Sequence, residues 1–88
     1  MNGPELLAHA ASIVTKRRRE YGEPAELFEQ VARRWSLTFG VPVTPAQVCL
    51  CLLDVRLARL ARDPAHPDSQ LDLAGHVAAL HELTSDGG

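Results

Sequence analysis

Eighty-eight residues, 45% of them apolar and 23% charged, make a chain with a formal net charge of −2. Such a length fits one domain that buries only roughly 60 to 65% of its unfolded surface, which excludes a deep private pocket. The acidic balance argues against a general nucleic-acid binder held by phosphate neutralisation.

Pro4 suits the first turn of a helix, and Leu6, Leu7, Ala10, Ile13 and Val14 recur at helical spacing, which predicts a first helix over 4–21 that stops at Gly22. Its last turns carry "KRRRE", residues 16–20, where cations favour the helix dipole. That run suits a solvated helix end, or a nucleotide-phosphate or nucleic-acid contact through Lys16 to Arg19. Pro24 restarts the chain, and Phe28, Val31, Ala32, Trp35 and Phe39 form the apolar stripe of a second helix over 24–39, stopped by Gly40.

Thr44 and Gln47 make a capping box, Pro45 occupies the first turn and Val43 can staple onto Val48, so a third helix is predicted over 45–62. Its first half, Val48 to Leu53, is apolar on every side, which marks a central helix or one buried in a subunit interface. The same run is far short of the roughly 20 residues of a membrane span, and no leader-like segment opens the chain, so a cytoplasmic protein is expected. Cys49 and Cys51 turn about 200° from each other on a helix, neither bridge nor share a metal, and are expected as small core residues.

The stretch "RDPAHPDS" has two prolines and reads as a loop, after which Asp68 or Ser69 caps a fourth helix over 69–84. That helix is expected to bury Leu73, Val77 and Leu80 and to fray into "TSDGG". With no convincing strand alternation and no internal repeat, the expected fold is an all-α, four-helix single domain with helix three central.

Asp68, Asp72 and His76 stand at successive i, i+4 positions, a stripe that can look into an interhelical groove. Hard cations such as Mg²⁺ take a few convergent carboxylates and keep waters, which suits an acidic pair on each of two facing helices. The same residues also suit a cap, a charge favourable to the helix N-terminus and a partly exposed histidine. The facing pair is Glu26 and Glu29 on helix two, although Glu26 falls about 160° from Phe28 on the wheel and Glu29 makes an ordinary i, i+4 pair with Arg33.

Arg56 and Arg59 lie three apart on an apolar helix and need an anionic partner there, either a carboxylate from another helix or a phosphate. Asp54, on the opposite side, can meet an arginine of another helix or subunit. A second donor set, His66, Asp68, Asp72 and His76, lacks the supporting Cys or His pair of zinc chemistry. Glycine-rich phosphate loops, serine elbows and zincin helices are absent from the sequence.

Three stretches, "RREYGEPAELFEQVARRW", "VTPAQVCLCLLDVRLARLA" and "DPAHPDSQLDLAGHVAAL", together resemble a group of small, mostly phage- or prophage-encoded helical proteins of unassigned function, over nearly all of 17–80. That group is distantly similar to MazG-like all-α nucleotide pyrophosphohydrolases, in which two acidic helix pairs hold Mg²⁺ and water cleaves a nucleoside triphosphate to the monophosphate and pyrophosphate. The resemblance implies a MazG-like bundle with Mg²⁺ at Glu26, Glu29, Asp68 and Asp72 and phosphates at Arg56 and Arg59; Tyr21, His66 and His76 stand beside these as other candidates. It also implies a homo-oligomer, dimer or larger, whose association helps build the nucleotide site.

The chain departs from the enzymes' pattern at several of these positions. Its second acidic pair is two aspartates four apart where theirs is glutamate and aspartate three apart, and the group's usual asparagine before the phenylalanine is Leu27. The usual lysine of helix three is Arg56, and the usual tyrosine of helix four is His76. Two functions follow as expectations: a nucleotide-binding or nucleotide-hydrolysing homo-oligomer, and a non-catalytic phage-derived helical interaction or regulatory protein.

Overall fold

Proline lacks the backbone N–H that a helix's first turn leaves unsatisfied and holds φ near the helical value, so it marks helix starts. The computed structural model describes residues 1–85 and begins each of its four helices at or beside a proline: α1 (Gly3–Tyr21), α2 (Pro24–Phe39), α3 (Pro45–Arg62) and α4 (Pro67–Thr84). Among the described residues there is no strand, and the fold is all-α.

Side-chain caps fix three of the starts. Asn2 Oδ1 accepts the Glu5 N–H at 2.9 Å, and the capping box of α3 is complete, with Gln47 N–H donating to Thr44 Oγ1 at 3.1 Å and Thr44 N–H to Gln47 Oε1 at 2.9 Å. For α4 the expectation is corrected: neither Asp68 nor Ser69 is the cap. His66 Nδ1 accepts the Ser69 N–H at 3.2 Å and lies 2.8 Å from Ser69 Oγ, so the helix begins at Pro67, two residues early, and Ser69 is buried inside its first turn. The end of the expected fraying tail, 86–88, lies outside the described residues.

The core is a cluster of Phe28, Ala32, Val48, Cys49 and Ala79, drawn from α2, α3 and α4, with Trp35, Leu52 and Leu80 among the half-buried residues against it. Val48 and Cys49 have no exposed surface, so α3 supplies the deepest residues. It is α4, however, that packs on all three other helices, most extensively on α3 and α1, while α2 lies mainly on α3. The apolar circumference of α3 is therefore covered on one side alone.

Leu50, Val55 and Leu57 remain about half exposed, and Cys51, expected in the core, is exposed because it turns away from Cys49. Val77 of α4, Phe39 of α2 and Leu7 of α1, each expected on a buried stripe, are likewise exposed. The radius of gyration, 14.0 Å, exceeds the roughly 12 Å of a compact chain of this length.

α1 reaches the rest of the molecule through α4, where Ala10 is buried and Val14 lies against Gly75. Only Gly22 and Glu23 join α1 to α2. Gly22 sits at φ +86°, ψ −170°, a conformation essentially closed to other residues, and it turns the chain sharply enough to set the end of α1 beside the start of α2.

Candidate functional site

That elbow and α4 enclose a groove of about 260 Å³. One wall is the stripe Val14, Arg17, Arg18 and Tyr21 of α1, spaced i, i+3, i+4 and i+7; the other is Leu27 and Phe28 of α2. Asp72, Gly75, His76 and Ala79 of α4 form the floor. The volume is below the ~300–1,000 Å³ of sites that engulf a drug-sized ligand, so the groove has room for a ring-sized group and not for a larger ligand as a whole.

His76 is held in one tautomer. Its Nδ1 lies 2.8 Å from the Asp72 backbone carbonyl, which can only accept, so Nδ1 donates and Nε2 is left as an acceptor. The ring tilts at 46° against Phe28 with centroids 6.4 Å apart. The His76 ring, backed by the nearly buried Phe28, thus brings an acceptor to the groove.

Arg18 is bound rather than free. Its Nη2 donates to Glu82 of α4 and its Nε faces Glu23 Oε2 at 3.9 Å, buried and without a hydrogen bond. The hydrogen bond from Arg18 holds the Glu82 carboxyl below the usual carboxylate range, and the same bond pushes the guanidinium further up. Arg18 also lines a second groove of about 300 Å³ between α1 and α4, whose walls are mainly Leu7 and small residues such as Ala10, Ala74 and Ala78.

Asp72 lies between two arginines. Its Oδ1 is 3.4 Å from Arg17 Nη1 and its Oδ2 is 3.4 Å from Arg56 Nη2, so one carboxylate ties α4 to both α1 and α3. Arg56 thereby finds the carboxylate from another helix that its position on α3 demands. Arg59 is exposed, with no ion-pair partner among the described residues, and Asp54 likewise pairs with none of them.

The other expected carboxylates lie apart. Glu26 and Asp68 are exposed, and Glu29 accepts from Arg33 Nη2 at 2.8 Å as an i, i+4 surface pair. His66 is occupied as the cap of α4. Among the described residues no three His, Cys, Asp or Glu side chains converge as a metal ion requires. With both Asp72 oxygens turned to guanidinium groups, the residues of one chain do not fit a resident Mg²⁺.

Of the expected site residues, the groove brings together Tyr21, Asp72 and His76. It adds Arg17 and Arg18, which the sequence presents as part of a basic helix end. The signal for them is their spacing from Val14, which sets them on the same face. Leu27 makes part of the α2 wall apolar.

Comparison with known proteins adds a relative without a stated activity. The chain is 29% identical over 80 residues to the Gene 55 protein of Mycobacterium phage L5, a match covering 89% of this chain and 51% of the phage protein. The chain thus spans about half the length of the curated relative it matches. No solved structure matches it. A family profile matches residues 5–84, nearly the whole of the four-helix unit, and on that match the chain belongs to the family described as a domain of unknown function, DUF6378.

Proposed function

We propose that this chain is a nucleoside-phosphate-binding protein that works as a homo-oligomer, with the ligand's ring in the groove between α1, α2 and α4. The observation that carries the reading is the groove itself: the exposed Tyr21 and the His76 ring, tilted on the nearly buried Phe28, offer aromatic surface, His76 Nε2 offers an acceptor to a ring N–H, and Arg17 stands at the wall. Ring seat and cation within one small groove match a ligand that is planar at one end and anionic at the other. The chain's resemblance to MazG-like pyrophosphohydrolases supports the same ligand class. Pyrophosphohydrolysis is left out of the reading, because the carboxylates it would need are not gathered among the described residues. Any Mg²⁺ would arrive with a triphosphate rather than reside in the protein.

Calorimetric titration with the four ribonucleoside triphosphates, with and without MgCl₂, tests this. One site per chain is expected, weakened by Leu27→Asp, which puts a like charge and a polar group into the apolar wall. Silence at millimolar nucleotide would refute the reading. A second reading, a non-catalytic helical interaction protein, is favoured by the exposed Leu37, Phe39 and Val41 around the end of α2. It is the one left standing by a silent titration.

A further inference from the structure

The charges around Asp72 do not cancel. Arg17 and Arg56 carry two positive charges against one carboxylate, whereas Arg18 faces two carboxylates, Glu82 and Glu23, the latter also at the groove, and Lys16 pairs with Glu20 at 4.0 Å. Burial separates the roles of the two arginines. The Asp72 and Arg56 side chains are only 18% and 24% exposed, while that of Arg17 is 59% exposed and reaches the groove. Arg56 therefore neutralises Asp72 in the packed interior, and the charge of Arg17 is left over at the groove.

Arg17 is also under-used as a donor. A guanidinium presents five N–H groups in a planar fork, and a well-formed charge-assisted bond to a carboxylate spans about 2.7–2.9 Å. The Arg17 contact to Asp72 is single and long, at 3.4 Å, so the fork retains most of its capacity for a second oxyanion.

We propose that the corner of Arg17, Asp72 and Arg56 is an anion site that takes a ligand's phosphate directly, without a metal ion. This rests on the nucleoside-phosphate reading of the adjoining groove. Arg17 binds the phosphate oxygens, and Arg56 offsets the charge of Asp72, the carboxylate that the incoming phosphate meets. The position that resemblance assigns to a cation is thus one of opposite sign.

The test is calorimetry in EDTA with two probes, inorganic pyrophosphate and ATP, on the wild-type chain, Arg17→Gln and Asp72→Asn. Both probes are expected to bind without metal, more weakly as salt rises. Arg17→Gln lowers affinity about tenfold or more, as loss of a charged bidentate donor does. Asp72→Asn raises it about fivefold, by removing a like charge near the incoming phosphate. A Mg²⁺ site gives the opposite sign, since Asp72→Asn would then abolish binding. If Asp72→Asn fails to melt cooperatively, Arg17→Gln carries the test, because its exposed side chain leaves folding intact.

The outcomes separate the two proposals. ATP binding that requires Mg²⁺ and disappears in Asp72→Asn overturns the anion site and leaves the groove reading in place. Pyrophosphate binding in EDTA with no binding of ATP upholds the anion site and overturns the groove reading. No binding of either probe, or full affinity in Arg17→Gln, overturns the anion site.

Discussion

Gly75 of α4 stands against Val14 of α1 so that a Cβ built at position 75 would lie 3.4 Å from Val14 Cγ2. That is ordinary van der Waals contact, so a methyl group fits where the two helices meet. A glycine inside a helix costs about 0.5–1 kcal/mol relative to alanine. Gly75→Ala is therefore expected to stabilise the chain by about that amount and to raise Tm by a few degrees in a thermal melt followed by circular dichroism. A lower Tm for the alanine variant would mean that the helices sit closer than the structure places them.

The ion pair that closes α1 onto α4 gives the fold an acid limb. Arg18 holds the Glu82 carboxyl below its usual range, near pH 4, so the folded state binds a proton there less readily than the unfolded chain. The contribution is fully present above the unfolded pKa and is lost as pH falls through the lower folded value. Stability should therefore decline as pH drops below about 4. Glu82→Gln should flatten that decline while leaving the rest of the pH profile unchanged. Denaturant melts from pH 6 down to 2.5 measure it, and equal slopes for both chains would sink the attribution. The pair is half exposed, so the effect is modest.

How much of this was legible depends on how local the cause is. Thr44 with Gln47, and the prolines and glycines at the helix ends, act within four residues and could be read directly. His66 escaped because a histidine is an unusual cap and its role depends on a ring nitrogen accepting from Ser69. The stripe Val14, Arg17, Arg18 and Tyr21 was present in the spacing, yet which of its residues meets Asp72 depends on the angle at Gly22, a tertiary fact. For the same reason Asp72 read as a metal ligand: the helical wheel shows that it borders a groove, and only the packing brings two arginines to it. Cys51 and Val77 were misplaced because an apolar residue is taken to be covered, and the covering helix is absent on their sides.

The two cysteines should part company chemically. Cys49 is fully buried, its Sγ–H donates to the His76 carbonyl at 3.3 Å, and burial pushes its thiol pKa up, all of which suppress the reactive thiolate. Cys51 is exposed. Native protein diluted to the single chain and treated with a thiol reagent at pH 8 is expected to label once, at Cys51, within minutes, and a second time only on unfolding. Mass spectrometry of the peptides identifies the site. Rapid labelling of Cys49 under native conditions would show that α3 and α4 separate far more readily than their packing implies.

Assembly is the prediction that bears most on function. The chain exposes 6361 Å², against roughly 5,100 Å² for a compact monomer of its mass. The difference exceeds the ~800 Å² that each partner contributes to a standard interface, so a second copy of this chain can cover it. α3 contributes Leu50 and Leu57, seven residues apart and hence on one stripe, at 48% and 51% exposed. Leu53, which lies between them on the same stripe, is only 8% exposed, so the stripe runs along the edge of the buried face. Two glutamate substitutions should therefore differ in kind. Leu50→Glu should leave the helical spectrum and the melting cooperativity intact while splitting the assembly, since a charge would be buried unpaired at the interface and a symmetric axis would repeat it. Leu53→Glu should unfold the chain, because its charge would fall within the core. Sedimentation equilibrium at micromolar concentration reads the first effect and circular dichroism the second. A wild-type chain that sediments as a clean monomer overturns the prediction, and Leu50→Glu that remains assembled moves the interface off α3.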